Sequence, residues 1–152
     1  MIVGIADTTF SRIDMGKIAI DELRKYSPLK YIRYTVPGIK DLPAAAKILF
    51  DKGCDIVITL GWVGKTDTDK LSYVAMSVGK ILVEVLTGKH VIDVTIHEDE
   101  AEDEKELYRI AENRVREHVR NAVDLLLNPK KLQKLAGTGQ RQGYEDVGPI
   151  LF

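Results

Sequence analysis

Most of the residue types that could bind or transform a small molecule fall in four short stretches: DTTFSR (7–12), PGIKDLP (37–43), GWVGKTDTDK (61–70) and HEDEAEDE (97–104). The second is the most unusual. Pro37 and Pro43 stiffen a turn that offers Gly38, Ile39 and one charge of each sign, Lys40 and Asp41, with backbone amides where a helix should begin. A stiff turn loses less entropy when it grips a ligand. His97 titrates near neutrality unless perturbed, which suits proton transfer. Glu98 or Asp99 could orient it, and Glu98, Asp99 or Glu100 could present hard oxygens to a divalent ion such as Mg²⁺.

Each stretch also has a plainer reading. Thr8 and Thr9 follow a strand pattern, where threonines often cap helices. The prolines can simply shape the turn. The acidic run can be a solvated turn that favours the next helix's N-terminus, which is the better account of residues 102–104. Trp62 can be a surface or interface aromatic. His118 falls on an apolar stripe and reads as a core or interface histidine, and His90 opens a strand as a structural residue.

The elements that must position these stretches follow from hydrophobic periodicity. Strands are expected at 2–6, 30–36, 55–61 and 90–96. The first and third are near-continuous apolar runs, as in strands covered on both faces. Helices alternate with them. Met15, Ile18, Ala19, Leu23 and Tyr26 mark one. Pro43 and Gly53 suit the ends of the next. Leu71, Val74, Ala75, Val78, Ile81, Leu82 and Val85 make a third stripe, followed by Gly88. A long helix spans about 103–127, with Leu107, Ala111, Val115, His118, Ala122 and Leu126 inward, and a short one follows at 130–135. This alternation predicts an α/β fold: a three-layer α/β/α sandwich on a four-stranded parallel sheet with right-handed crossovers. Ligands in such sheets sit beyond the carboxyl ends of the strands. The four stretches leave those ends, whereas the opposite edge carries the plainer YSPLK, DKG and TGK.

At 152 residues the chain fits one domain, 1–152, with 136–152 as a glycine-rich tail. Net charge of −1 and the absence of a basic stripe with aromatics speak against nucleic acid. No apolar run reaches the roughly 18 residues of a membrane span, and no signal peptide is visible, so a cytoplasmic protein is expected. Cys54, the single cysteine, reads as a buried structural thiol. GxGxxG after the first strand, GxxxxGK[ST], HExxH, GxSxG and zinc spacings are absent.

TVPGIKDLP resembles the VPG-x-x-[DE]-x-P loop of lumazine synthases, and DIVITLGWVGKTDTDKLSY resembles their third strand and following loop. Together with HEDEAEDEKEL and the terminal GTGQRQGYEDVGP, the chain is most similar to archaeal-type riboflavin synthases, relatives of lumazine synthase. The resemblance covers nearly the whole chain. It implies a lumazine synthase/flavodoxin-like fold, a homopentamer with sites between adjacent subunits, no organic cofactor, and one reaction. Two molecules of 6,7-dimethyl-8-ribityllumazine dismutate to riboflavin and 5-amino-6-ribitylamino-uracil.

It further implies that Pro37, Gly38, Ile39, Lys40 and Asp41 grip the ribityl chain and that Phe10 packs on a lumazine ring. Thr8 and Thr9 would bond ring heteroatoms or ribityl hydroxyls. Gly61, Trp62, Val63, Gly64, Lys65 and Asp67 would pass by the heterocycle. Lys70 stands where lumazine synthases carry a histidine, so the proton carrier must be sought elsewhere. His97 is the candidate, oriented by Glu98 or Asp99, with Lys70 and Lys65 as electrostatic supports. Arg141, Gln142, Tyr144, Glu145 and Asp146 of the tail are expected to cover a site, a neighbour's. A lumazine synthase, a non-catalytic flavin- or lumazine-binding protein of the same fold, and a plain assembly or signalling domain are the alternatives.

Overall fold

A computed structural model describes residues 1–26 and 29–152. Ser27 and Pro28, part of the YSPLK segment, lie outside the described residues. The elements run β1 (Ile2–Thr8), α1 (Met15–Leu23), β2 (Lys30–Val36), α2 (Leu42–Asp51), β3 (Ile56–Val63), α3 (Asp67–Thr87), β4 (Val91–His97), α4 (Glu104–Leu127) and α5 (Pro129–Leu135). All strand pairs are parallel, in the order β2-β1-β3-β4. The four outgoing corners therefore share one rim.

Period-two alternation sorts the central strands' side chains between two apolar layers. Ile5, Ile58, Leu60, Trp62 and Ile96 face α1 and α4 with Met15, Leu107 and Val115. Val57, Val63 and Val91 face α2 and α3 with Leu42, Leu49, Cys54 and Met76. Cys54 is buried, and burial raises its thiol pKa, as suits an inert structural thiol.

Two boundaries and the facing of one helix differ from the expectation in ways that matter. β1 extends through Asp7 and Thr8, because Asp7 finds partners inside the sheet. It accepts from Thr35 Oγ1 at 2.6 Å and pairs with Arg33 at 2.5 Å across the β1–β2 register. β3 continues through Trp62 and Val63, so Trp62 is 2% exposed rather than a surface aromatic. The apolar stripe of α3 points outward: Leu71, Val74, Val78, Ile81, Leu82 and Val85 are exposed, while only Met76 and Val83 of that helix are fully buried. The helix itself is well terminated, by a Thr66–Asp69 capping box and by Gly88 in the left-handed region.

Candidate active site

Two of the cavities beside this rim, of different character, hold most of the expected site residues. The first, of about 210 Å³, is lined by Phe10, the turn Gly38–Ile39–Lys40–Asp41, Trp62, Val63, Gly64, Asp69 and Ser72. Its two loops are bound to each other. Thr9 N–H donates to Val36 O at 2.9 Å, Phe10 N–H to Pro37 O at 3.2 Å, and Thr9 Oγ1 also donates to Pro37 O. These bonds hold Phe10, 55% exposed, beside the proline turn. Ile39–Asp41 forms a 3-10 turn that leads into α2.

Not every residue expected at this cavity lines it. The Thr8 hydroxyl is buried and accepts from Ser11 N–H. Gly61 is a buried strand residue whose α-carbon lies close under Ile39 and Leu42. Lys65 and Asp67 are exposed at the start of α3. Trp62 does line the cavity, but its indole is turned to the α1/α4 side, where its N–H donates to Glu98.

The second cavity, of about 240 Å³, lies on the open edge of β4 and includes His97, Asp93, Tyr73, Arg114, His118 and Tyr144, with Thr95, Glu100 and Gln142 beside them. The Lys70 ammonium lies 3.0 Å from His97 Nδ1 and 2.8 Å from Asp99 Oδ1. An ammonium has no lone pair to offer, so Nδ1 must accept and the ring proton sits on Nε2. Tyr73 packs edge-on against the ring, centroids 5.1 Å apart. Burial first, and then the charge of Lys70, lower the His97 pKa, which keeps the ring neutral at neutral pH. Burial also raises the Asp93 carboxyl, despite hydroxyl bonds from Thr95 and Thr59.

Arg114 closes the cavity wall. It is 6% exposed and makes a bidentate pair with Glu100, both contacts 2.7 Å, and donates to Thr95 O at 2.8 Å. The tail folds onto this pair. Tyr144 OH accepts from Arg114 at 3.0 Å, and the Arg114 and Arg141 guanidinia lie 5.1 and 4.6 Å from its ring centroid. Gly143, with φ of 72°, passes so close that an added β-carbon would stand 3.1–3.3 Å from the Arg114 side chain. Gln142 and Tyr144 thus lie over this chain's own cavity.

The acidic run is divided among separate tasks. Glu98 holds Trp62 and Arg12, and Arg12 also pairs with Glu104, which ties the β1 corner to the β4 corner. Asp99 bonds Lys70, and Glu100 bonds Arg114 and the His97 N–H. Among the described residues no three carboxylate, imidazole or thiol groups are placed to share one metal ion. Glu98, Asp99 and Glu100 each turn to a separate partner, Trp62 and Arg12, Lys70, and Arg114, rather than toward one shared point. Glu98 touches neither His97 nor Lys70; Asp99 is the carboxylate that reaches the His97–Lys70 pair.

Tyr73, Asp93, Arg114 and the accessible face of His118 were not among the expected site residues. A signal for two of them exists. Asp93 interrupts an apolar strand, and Arg114 stands one helical turn from Ala111 and His118 on the inward stripe of α4. Ionisable groups at such positions are rarely buried without partners.

The chain matches the 6,7-dimethyl-8-ribityllumazine synthase family over residues 1–130. Among curated proteins it is 77% identical over 152 residues to the riboflavin synthase of Archaeoglobus fulgidus, covering 99% of each chain. It is 59% identical over 150 residues to that of Aeropyrum pernix, covering 97% of each. It is 47% identical over 150 residues to that of Methanothermobacter marburgensis, covering 97% of this chain and 98% of the other. Parallel sheet, proline turn and rim cavities agree with that match, and the chain belongs to the 6,7-dimethyl-8-ribityllumazine synthase family, within its archaeal-type riboflavin synthase branch.

Proposed function

We propose that the protein is a riboflavin synthase, which moves a four-carbon unit between two molecules of 6,7-dimethyl-8-ribityllumazine to give riboflavin and 5-amino-6-ribitylamino-uracil. The observation that carries this reading is the pair of unlike cavities on one rim. A flat ring with a polyol tail suits the first. Phe10 offers an apolar face, and Gly38–Asp41 offers amides and both charges to hydroxyls. The second supplies proton handling through His97, held by Lys70 and Tyr73. Aligning two bound reactants can supply about 7–11 kcal/mol of the barrier, so positioning carries much of the catalysis.

The cavities lie toward different edges of the sheet, one by the loops after β1 and β2, the other on outer strand β4. A ring of copies that sets the β4 edge of one against the proline turn of the next unites them, and such head-to-tail contacts close into cyclic oligomers. The outward α3 stripe supports self-association, because monomers rarely expose so long an apolar face. We take the assembly to be the pentamer the family resemblance implies. Val78→Asp adds a charge at a position that an isolated chain leaves exposed. It should leave secondary structure intact and reduce the mass in analytical ultracentrifugation to that of a monomer; an unchanged particle contradicts the assignment of α3 to the interface.

The tail acts as a cover that excludes water from His97 and Arg114. Removing residues 139–152 should lower kcat while far-UV circular dichroism stays native. Wild-type kinetics in the truncated chain would dispose of the cover. The function itself is tested by supplying 6,7-dimethyl-8-ribityllumazine alone. Flavin absorbance should grow without a four-carbon phosphate. No flavin, or flavin-free binding of the lumazine, overturns the assignment.

A further inference from the structure

The His97 cavity contains a second imidazole with the opposite wiring. His118 Nδ1 lies 2.8 Å from Arg114 O on its own helix. A carbonyl can only accept, so the His118 proton sits on Nδ1 and Nε2 keeps its lone pair. At His97 the Lys70 ammonium occupies Nδ1, so the proton sits on Nε2. Neither Nε2 has a partner among the described residues, and neither is sealed from the cavity. One wall therefore presents an N–H and another presents a bare nitrogen.

We propose that His118 is a second catalytic residue of this cavity, the proton acceptor, and that His97 is the complementary donor. The inference rests on the riboflavin synthase reading. In the first step a C–H bond of the acidified methyl on one lumazine breaks. Its electron pair is delocalised into the ring, and the proton bonds to His118 Nε2. The imidazolium so formed lies in the cavity with Asp93. On the donor side His97 gives its Nε2 proton to a ring nitrogen of the second lumazine as negative charge develops there, and takes one at Nδ1 from Lys70, leaving a neutral amine hydrogen-bonded to Asp99. The His118 proton passes to solvent, and solvent returns one to His97 Nε2 as the Nδ1 proton goes back to Lys70, so the proton lost by one lumazine equals the proton gained by the other over a turnover.

The groups around His118 allow this. Asp93 of β4, Tyr73 of α3 and Tyr144 of the tail share its cavity, as do Arg114 on its own helix and Glu100 beyond β4, and Glu117 acts on it from its own helix. Burial, the largest influence, lowers the His118 pKa, and the bond to Arg114 O and the charges of Asp93 and Glu117 only partly offset this. The ring is thus neutral near neutral pH, as a base must be.

His118→Asn tests the proposal, because its amide can still donate to Arg114 O while Nε2 is removed. The expected result is a fall in kcat of about 10²-fold or more, with lumazine affinity kept. Wild-type kcat in this variant overturns the proposal, as does a loss confined to affinity. Nitrogen-15 histidine spectra of the wild-type protein give a readout independent of any variant. They should show Nδ1–H at His118 and Nε2–H at His97, and Nε2–H at His118 overturns the proposal. A wild-type protein that makes no riboflavin rejects the functional reading itself. An active wild type with an unimpaired His118→Asn variant rejects this inference alone.

Discussion

Substitution of His97 by glutamine is expected to lower kcat by about 10²–10⁴-fold, the usual range for a lost acid–base group. The side chain is held from two directions, by Lys70 at Nδ1 and by the edge of Tyr73, and its free Nε2 borders the cavity. Fold and assembly should survive, since the ring is only half-buried and the backbone N–H that Glu100 accepts from is kept in the variant. Steady-state kinetics with a melting curve separate the two effects. The pH profile gives the sign. Burial and then Lys70 depress the His97 pKa, so the neutral ring persists below the ordinary imidazole value and activity falls only at lower pH. Lys70→Met removes the depressing charge, and the acid limb of kcat should move to higher pH. A His97→Gln variant within twofold of wild type removes His97 from the chemistry.

Substitution of Arg114 by methionine is expected to cost about 3–5 kcal/mol of stability, the penalty for leaving one partner of a buried ion pair uncompensated. Arg114 is 6% exposed and joins three segments: Glu100 beyond β4, Thr95 O within it, and Tyr144 of the tail. Burial pushes the Glu100 carboxyl up, but the bonds from Arg114 and the His97 N–H outweigh it and hold the pKa below its ordinary value. The pair's contribution is therefore complete above the unfolded carboxylate pKa of about 4.3 and is lost as pH falls through the depressed folded value. Urea melts at neutral pH measure the cost. The Arg114→Met/Glu100→Gln double variant should recover part of it, because no charge is then left buried alone. A single-variant cost under about 1 kcal/mol, the range of exposed pairs, would contradict the burial of this pair.

The layers and the rim were legible because they follow from local rules. Continuous apolar runs mark β1 and β3, Pro43 opens α2, and Gly88 ends α3. The α3 stripe shows the limit of periodicity. Spacing gives an apolar face but not whether it meets the sheet or another copy, and here Leu71 through Val85 face out. The site divides in the same way. Phe10 and Gly38–Asp41 line one cavity because both lie in short loops at adjacent strand ends, which topology alone brings together. Glu98, Asp99 and Glu100 are neighbours in sequence, yet they turn to Trp62, Lys70 and Arg114, since partners distant in the chain decide where each carboxylate goes. The opposite tautomers of His97 and His118 depend on Lys70 and on a helix carbonyl, which no spacing reveals.

A structure of the assembled protein with an unreactive ribityllumazine analogue is the most direct measurement. One bicyclic ring should lie against Phe10 with its ribityl chain along Gly38–Asp41. A second should stand about 3–3.5 Å from the first, within reach of His97 and His118. A single ligand per site, or two ligands with the His97 cavity empty and remote, would contradict the account.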